Sequence, residues 1–288
     1  MADHIYGGQA VIEGVMMRDA SHYSIAVRTP NGQIAVKKRK IDSPVMKHKV
    51  LRWPFVRGVV NMFETLVLGM EALSYSANMA ADEDEKFSAK ELAFTFLFAI
   101  AMAVGLFILL PLFLTSLISK NSGIIFNLID GLVRLAIFLL YLFLISLIPD
   151  IKVLFQYHGA EHKVINAFEH KEKLVPKKVE KYSVQHTRCG TSFFLIVMII
   201  SIVVFSVITS PSWLVKMLTR ILLIPVIIGI SYEVLKLSSR YHDKPIMRII
   251  LVPGLFLQRF TTRKPNIKQV EVAIAAFNSL SLSKESKT

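Results

Sequence analysis

The chain has 288 residues, 53% of them hydrophobic, and a mean hydropathy of +0.51, more apolar surface than a water-soluble domain has reason to carry. Its net charge of +13 falls outside the long apolar runs and beside their ends, which argues against a DNA-binding surface and for loops held at an anionic lipid bilayer. One cysteine, Cys189, excludes an intramolecular disulfide.

The N-terminus, MADHIYGGQAVIEG, lacks a basic segment followed by an apolar core and a cleavage site, so no cleaved signal peptide is expected. Residues 1–52 predict a small β-rich cytoplasmic cap. GGQAVIEGVMM, SIAVRT and IAVKKRKI are strand-like, and Pro30-Asn31-Gly32 between the last two is a hairpin signal. Residues 53–90 predict an amphipathic interfacial helix over 55–81, with Arg57, Glu64 and Glu71 spaced by seven, and then the acidic linker DEDEK.

Four hydrophobic spans are expected. Residues 91–149 form a first transmembrane hairpin from Leu92 to Ile118 and Ile124 to Ile148, joined by KNSG; Asp130 and Arg134 in its second arm stand at i,i+4 and can pair. Residues 193–237 form a second hairpin, Phe193 to Ser210 and Trp213 to Leu237, whose last arm carries Lys216, Arg220 and Glu233. The Lys- and Arg-rich parts at 37–57, 151–192 and after Lys236 place both termini in the cytoplasm of a multi-pass cell-membrane protein. The fold class is therefore mainly α: a polytopic helical membrane protein with a β-rich cap and interfacial helices. In the remaining stretch, 238–288, Ile246 to Phe260 is too short to cross and predicts an interfacial or re-entrant piece. Asn266 caps a helix over 267–280, and the final SLSKESKT is expected to be disordered.

The chemistry concentrates in residues 150–192. Pro149 suits a helix start, and on a helical wheel Ile151, Leu154, Phe155, Glu161, His162 and Ile165 fall within about 60° of His158, with Lys152, Gln156, Lys163 and His170 opposite. Two imidazoles and a carboxylate thus sit in an apolar stripe, where unpaired polar groups are costly. HGAEH fits the H-x-x-E-H pattern of zinc peptidases: His158 and His162 can face one divalent metal, zinc by preference, and Glu161 can act as general base. The rival is a packed helix whose histidines bond backbone or carboxylates. His186 and Cys189 in HTRC, and Glu233 at the end of the fourth span, lie at the same membrane depth. Two ligand sets are open. His158, His162 and Glu233 leave a fourth position free for catalysis, whereas closure by His186 and Cys189 makes the metal structural. Glu13, and Tyr157 beside His158, are candidates to support the site from outside the ligand set.

At these residues the chain resembles the YqhQ family of bacterial membrane proteins, a family of unknown function labelled a predicted metal-dependent enzyme. The strings are GGQAVIEGVMMR, RGVV, YHGAEHK, RCGTSF, SYE, QRFTTRKP and EVAIAA; His-Thr stands before RCGTSF-type sequence where the family leads one to expect His-Pro. The resemblance implies a metal and functional roles for His158, Glu161, His162, His186, Cys189 and Glu233, and no particular reaction. The expectation is a metal-dependent hydrolase acting on a membrane protein segment or a lipid head group. A non-enzymatic assembly factor touching ribosome, translocase or lipid is the alternative, and a transporter using Asp130, Arg134 and Arg220 a third. An oligomer is compatible with all three.

Overall fold

Alternating apolar residues near the N-terminus form an antiparallel meander, β1 (Gly7–Val11), β2 (Gly14–Arg18), β3 (His22–Arg28) and β4 (Ile34–Lys40), in that order. The structure, a computed structural model, describes residues 6–81, 88–119, 123–187, 189–210, 212–241 and 245–285. The turn between β3 and β4 has Gly32 at φ +83°, with its N–H donating to Thr29 O at 2.8 Å, as the Pro-Asn-Gly signal implies. GGQAVIEGVMM, expected as one run, is two strands. They turn at Ile12-Glu13, with Glu13 at φ +49°, a position no glycine or asparagine marks.

The sheet is covered on both faces. Val11, Met16, Ile25 and Val27 pack on Leu68 and Ala72 of α2 (Val56–Ala80), which follows the short α1 (Pro44–Lys47). Val15, Met17 and Ala26, on the other face by strand alternation, pack on α6 (Pro149–Glu169) and α12 (Ile267–Glu285). The N-terminal strands therefore share a core with elements more than a hundred residues away. The basic strand β4 is also tied down: Lys37 and Arg39 pair with Glu71, and Lys38 donates to Ser279 O at 2.5 Å.

Among the described residues two helices are long and apolar enough to cross a membrane. One is Lys90–Ile118, made of α3 (Ala89–Val104), a π turn at Gly105–Leu109 and α4 (Leu110–Ile118); the other is α5 (Ile124–Ile145). The expected fourth span is broken into α9 (Trp213–Leu222) and α10 (Ile224–Arg240) with a 45° bend; counted together they make a third candidate. Pro225 in the first turn of α10 lacks the N–H that would carry α9 onward. The expected third span is α8 (Thr191–Ser206), 16 residues, about 24 Å long against the ~30 Å of a hydrocarbon core.

Both segments expected at the membrane interface are helices packed on neighbouring helices. The first half of α2 lies along α10, with a Cβ at Gly58 reaching 2.7 Å from Tyr232 and Asn61 Nδ2 donating to Tyr232 Oη at 2.8 Å. The 246–260 segment is a helix, α11 (Pro245–Thr261), with Pro253 inside it and Gly254 pressed against Ser192 of α8. Asn266 and Gln269 cap α12 reciprocally, each accepting the other's backbone N–H at 2.9 Å. That helix continues to Glu285, past the point where disorder is expected. The acidic run 82–86, the turn residues 120–122, Arg188 and Pro211 lie outside the described residues.

Candidate metal centre

Pro149 occupies the first turn of α6, as its missing N–H suits. The helix is buried from Phe155 to Ala167 except at Gln156, His158 and Asn166, so its polar groups need partners. Lys163, expected off the apolar stripe, is buried, and its ammonium donates to the carbonyls of Glu180 (2.6 Å) and Tyr182. Burial lowers its pKa, with Lys264 adding to the effect and Glu180 opposing it. Asn166 Nδ2 donates to Ser183 O at 2.9 Å and Gln185 O at 3.0 Å. His162 Nδ1 lies 2.6 Å from Val184 O, and Gln258 Nε2 donates to His186 O at 2.8 Å. Every carbonyl from Tyr182 to His186 is thus held by a side chain of α6 or α11. The segment is laid along α6 after α7 (Pro176–Val179) and delivers Cys189 to the two histidines.

The tautomers follow from these bonds. His158 Nδ1 is 2.8 Å from Thr261 O, and His162 Nδ1 faces Val184 O; a carbonyl only accepts, so each Nδ1 carries the proton. Each Nε2 is left with its lone pair. His158 Nε2 meets Cys189 Sγ at 3.3 Å, and one atom each from His158, His162 and Cys189 fall within 4.8 Å of one another. Two donors on one zinc at 2.0–2.3 Å stand about 3.3–3.8 Å apart in a tetrahedron, a spacing that the His158–Cys189 pair has at 3.3 Å. Histidines anchored through the far nitrogen are the usual arrangement behind such a ligand pair. Burial pushes His162 below the ordinary imidazole range, with Cys189 and Val184 opposing, which keeps its lone pair free.

Glu161 Oε2 lies 3.8 Å from both Nε2 atoms. Burial drives its carboxyl above the usual range, and His158 and His186 pull it back. Gly8 of β1 closes over it: a Cβ there would stand 3.1 Å from Glu161 Cγ and Oε1. Gly159 serves the same packing from the other side, since a Cβ would meet Arg263 O at 2.1 Å, where Arg263 N–H donates to Phe155 O. The site is enclosed, with side-chain exposures of 15% for His158, 5% for Glu161 and 2% for His162.

The other candidates are placed nearby or elsewhere. His186 stacks beside His162, ring centroids 5.8 Å apart, with its Nε2 3.3 Å from both Glu169 oxygens; its backbone is clamped by Gln258. Glu233 is not brought to the histidines. Arg57 of α2 engages both of its oxygens, Nε to Oε1 at 2.7 Å and Nη2 to Oε2. Glu13 and Tyr157 meet each other, Tyr157 Oη donating to Glu13 Oε2 at 3.0 Å; burial, then Glu13, raises the phenol pKa. The group that could hold a metal, His158, His162 and Cys189, combines parts of the two sets open from sequence. Sequence reasoning missed Gln258, Thr261 and Lys163, although QRFTTRKP and YHGAEHK contain them.

The family model described as "Protein of unknown function (DUF1385)" matches residues 53–282. The chain belongs to the DUF1385 family. It is 37% identical over 294 residues to "Uncharacterized protein YqhQ" of Bacillus subtilis (strain 168), an alignment covering 96% of this chain and 92% of that protein. No solved structure matches. The family segment contains the three ligand candidates and Glu161, while Gly8 and Glu13 lie before it.

Proposed function

We propose that this member of the DUF1385 family is a membrane-embedded, metal-dependent hydrolase with its site at the cytoplasmic face of the bacterial inner membrane. The observation that carries the reading is the pair of Nε2 lone pairs, fixed by carbonyls at Thr261 and Val184, converging with Cys189 Sγ while Glu161 faces both. Two imidazoles and a thiolate are a zinc donor set. When bound, zinc supplies Lewis acidity that polarises an electrophile and acidifies water. As a carboxylate, made more basic by burial, Glu161 would accept the proton of the attacking water and pass it to the leaving group. Gly8 and the Arg263 segment exclude bulk solvent. Substrates at this depth are a membrane protein segment or a lipid head group.

In this reading the helix pair Lys90–Ile118 and α5, then α8, then the bent pair α9–α10, make four crossings. Support comes from the basic residues of 37–57, 151–192 and the C-terminal part, which flank the apolar stretches in the chain. A thinned bilayer accommodates the short α8.

A second reading follows from the enclosure of the site: Glu161 completes the tetrahedron, and the ion staples α6 to the Cys189 segment of a non-enzymatic assembly factor for membrane proteins, in contact with ribosome, translocase or lipid. Glu161→Gln separates the two. Metal retained with activity abolished fits the hydrolase; metal lost fits the staple, and a fully functional variant in cells would falsify the catalytic role.

A further inference from the structure

Asp130 and Arg134 on α5 pair at 2.7 Å, as their spacing implies, and Arg220 of α9 reaches the same carboxylate oxygen at 3.0 Å. Arg134 also donates to Ser201 Oγ at 3.2 Å and Arg220 to Asn127 Oδ1 at 3.4 Å, while both guanidinium groups lie over the Phe205 ring. Lys216, one turn before Arg220, rests its ammonium 3.5 Å from the centre of the Phe126 ring. Two guanidinium groups therefore share one carboxylate, with the Lys216 ammonium one turn away, and Asp130, Arg134 and Arg220 are all buried. Uncompensated charge in such a place is costly. Hydrogen bonding is incomplete as well: among the described residues Arg220 Nη1 and Arg134 Nε find no acceptor, and Asp130 Oδ1 no donor.

A small pocket, open on one side, lies against Arg220 and is lined by Asn127, Phe205, Ile208, Lys216, Thr219 and Arg220. No carboxylate is among these lining residues. Its enclosed part is only about 10 Å³, room for one water-sized group, so an anion places a single oxygen inside and keeps the rest at the open side. A planar guanidinium beside an ammonium is a combination that takes phosphate oxygens. The pocket is remote from the metal centre: Phe205 is near the C-terminal end of α8, whereas Cys189 precedes its N-terminus, and the helix between them is about 24 Å long.

We propose that this pocket binds a single phosphate group, held by Arg220 and Lys216, and that the bound anion balances the excess positive charge between α5, α8 and α9. The phosphate belongs either to a phospholipid head group or to a free phosphate monoester. The test uses delipidated full-length protein in detergent, with native mass spectrometry against short-chain phosphatidylglycerol, glycerol 3-phosphate and the matching diacylglycerol. Saturable binding of one phosphate-bearing probe, without binding of diacylglycerol, is expected. Arg220→Gln and Lys216→Gln should each weaken it about tenfold or more, the loss typical of one charge-assisted hydrogen bond. Preference for phosphatidylglycerol over glycerol 3-phosphate assigns the site to lipid, and the reverse assigns it to the free ester. The proposal is overturned if neither phosphate probe saturates, if diacylglycerol binds as well as phosphatidylglycerol, or if Lys216→Gln, melting like the parent, keeps full affinity.

Discussion

Gly8 and Glu161, 153 positions apart in the chain, pack so closely that a methyl group on the first would stand 3.1 Å from the carboxylate of the second. The same methyl would meet the carbonyl of Met16 at 2.4 Å, while around Gly7 there is open space. Gly8→Ala is therefore expected to destabilise the protein by about 1–3 kcal/mol, the range for overpacking, and to disturb function, with Gly7→Ala neutral. Thermal melts of the two variants in detergent check this; equal melting points contradict the contact.

Lys163 secures two carbonyls of the segment that carries Cys189. Lys163→Met leaves both without their donor and is expected to cost about 2–3 kcal/mol, as for hydrogen bonds from a charged group. Hydrogen exchange across residues 180–189 should rise and metal affinity fall. Unchanged protection in that segment contradicts the account.

Arg57 and Glu233 hold α2 against α10 through two hydrogen bonds, with 25% and 22% of their side chains exposed. Glu233→Gln should lower stability by about 1–2 kcal/mol and leave the metal content as it is. A variant that melts normally but loses its metal would place Glu233 at the metal centre after all.

Around Glu71 the sign of a pH effect can be worked out. Burial raises its pKa, but hydrogen bonds from Tyr23 and Lys37 and the charges of Lys37 and Arg39 outweigh that and leave it lowered. Its contribution is present above the ordinary carboxylate range and is lost as the pH falls through the lowered value. Tyr23, by burial and by its bond to Glu71, is pushed up to about 12; its contribution is complete below pH ~10 and is lost as the pH rises through about 12. Ultraviolet titration should show one phenol fewer ionising near 12 in Tyr23→Phe. An unchanged count in that range contradicts the assignment.

What the sequence made legible was local. Pro149, Asn266 and Pro30-Asn31-Gly32 announce a helix start, a cap and a turn through short-range chemistry, and His158, Glu161 and His162 fall on one helix face by periodicity alone. Cys189 was a candidate among others because its proximity to His162, across the end of α6, α7 and the segments around α7, has no periodic signature. The carbonyl ladder from Tyr182 to His186 was hidden for a further reason: its acceptors are main-chain atoms, carried equally by every residue type. Glu233 shows the opposite limit. An expected common membrane depth does not bring groups together, and Arg57, in a helix with no span signature, takes the carboxylate. The break in the run expected as a fourth span turns on Pro225, whose effect on a long apolar run is a 45° bend that hydropathy does not register.

The central claim is tested most directly by metal analysis of detergent-purified protein after exposure to zinc and removal of excess. About one zinc per chain is expected. His158→Ala, His162→Ala and Cys189→Ser should each lose most of it, and His170→Ala, an exposed control on the same helix, should keep it. Protein that binds no metal, or ligand variants that fold and retain a full equivalent, would contradict the account.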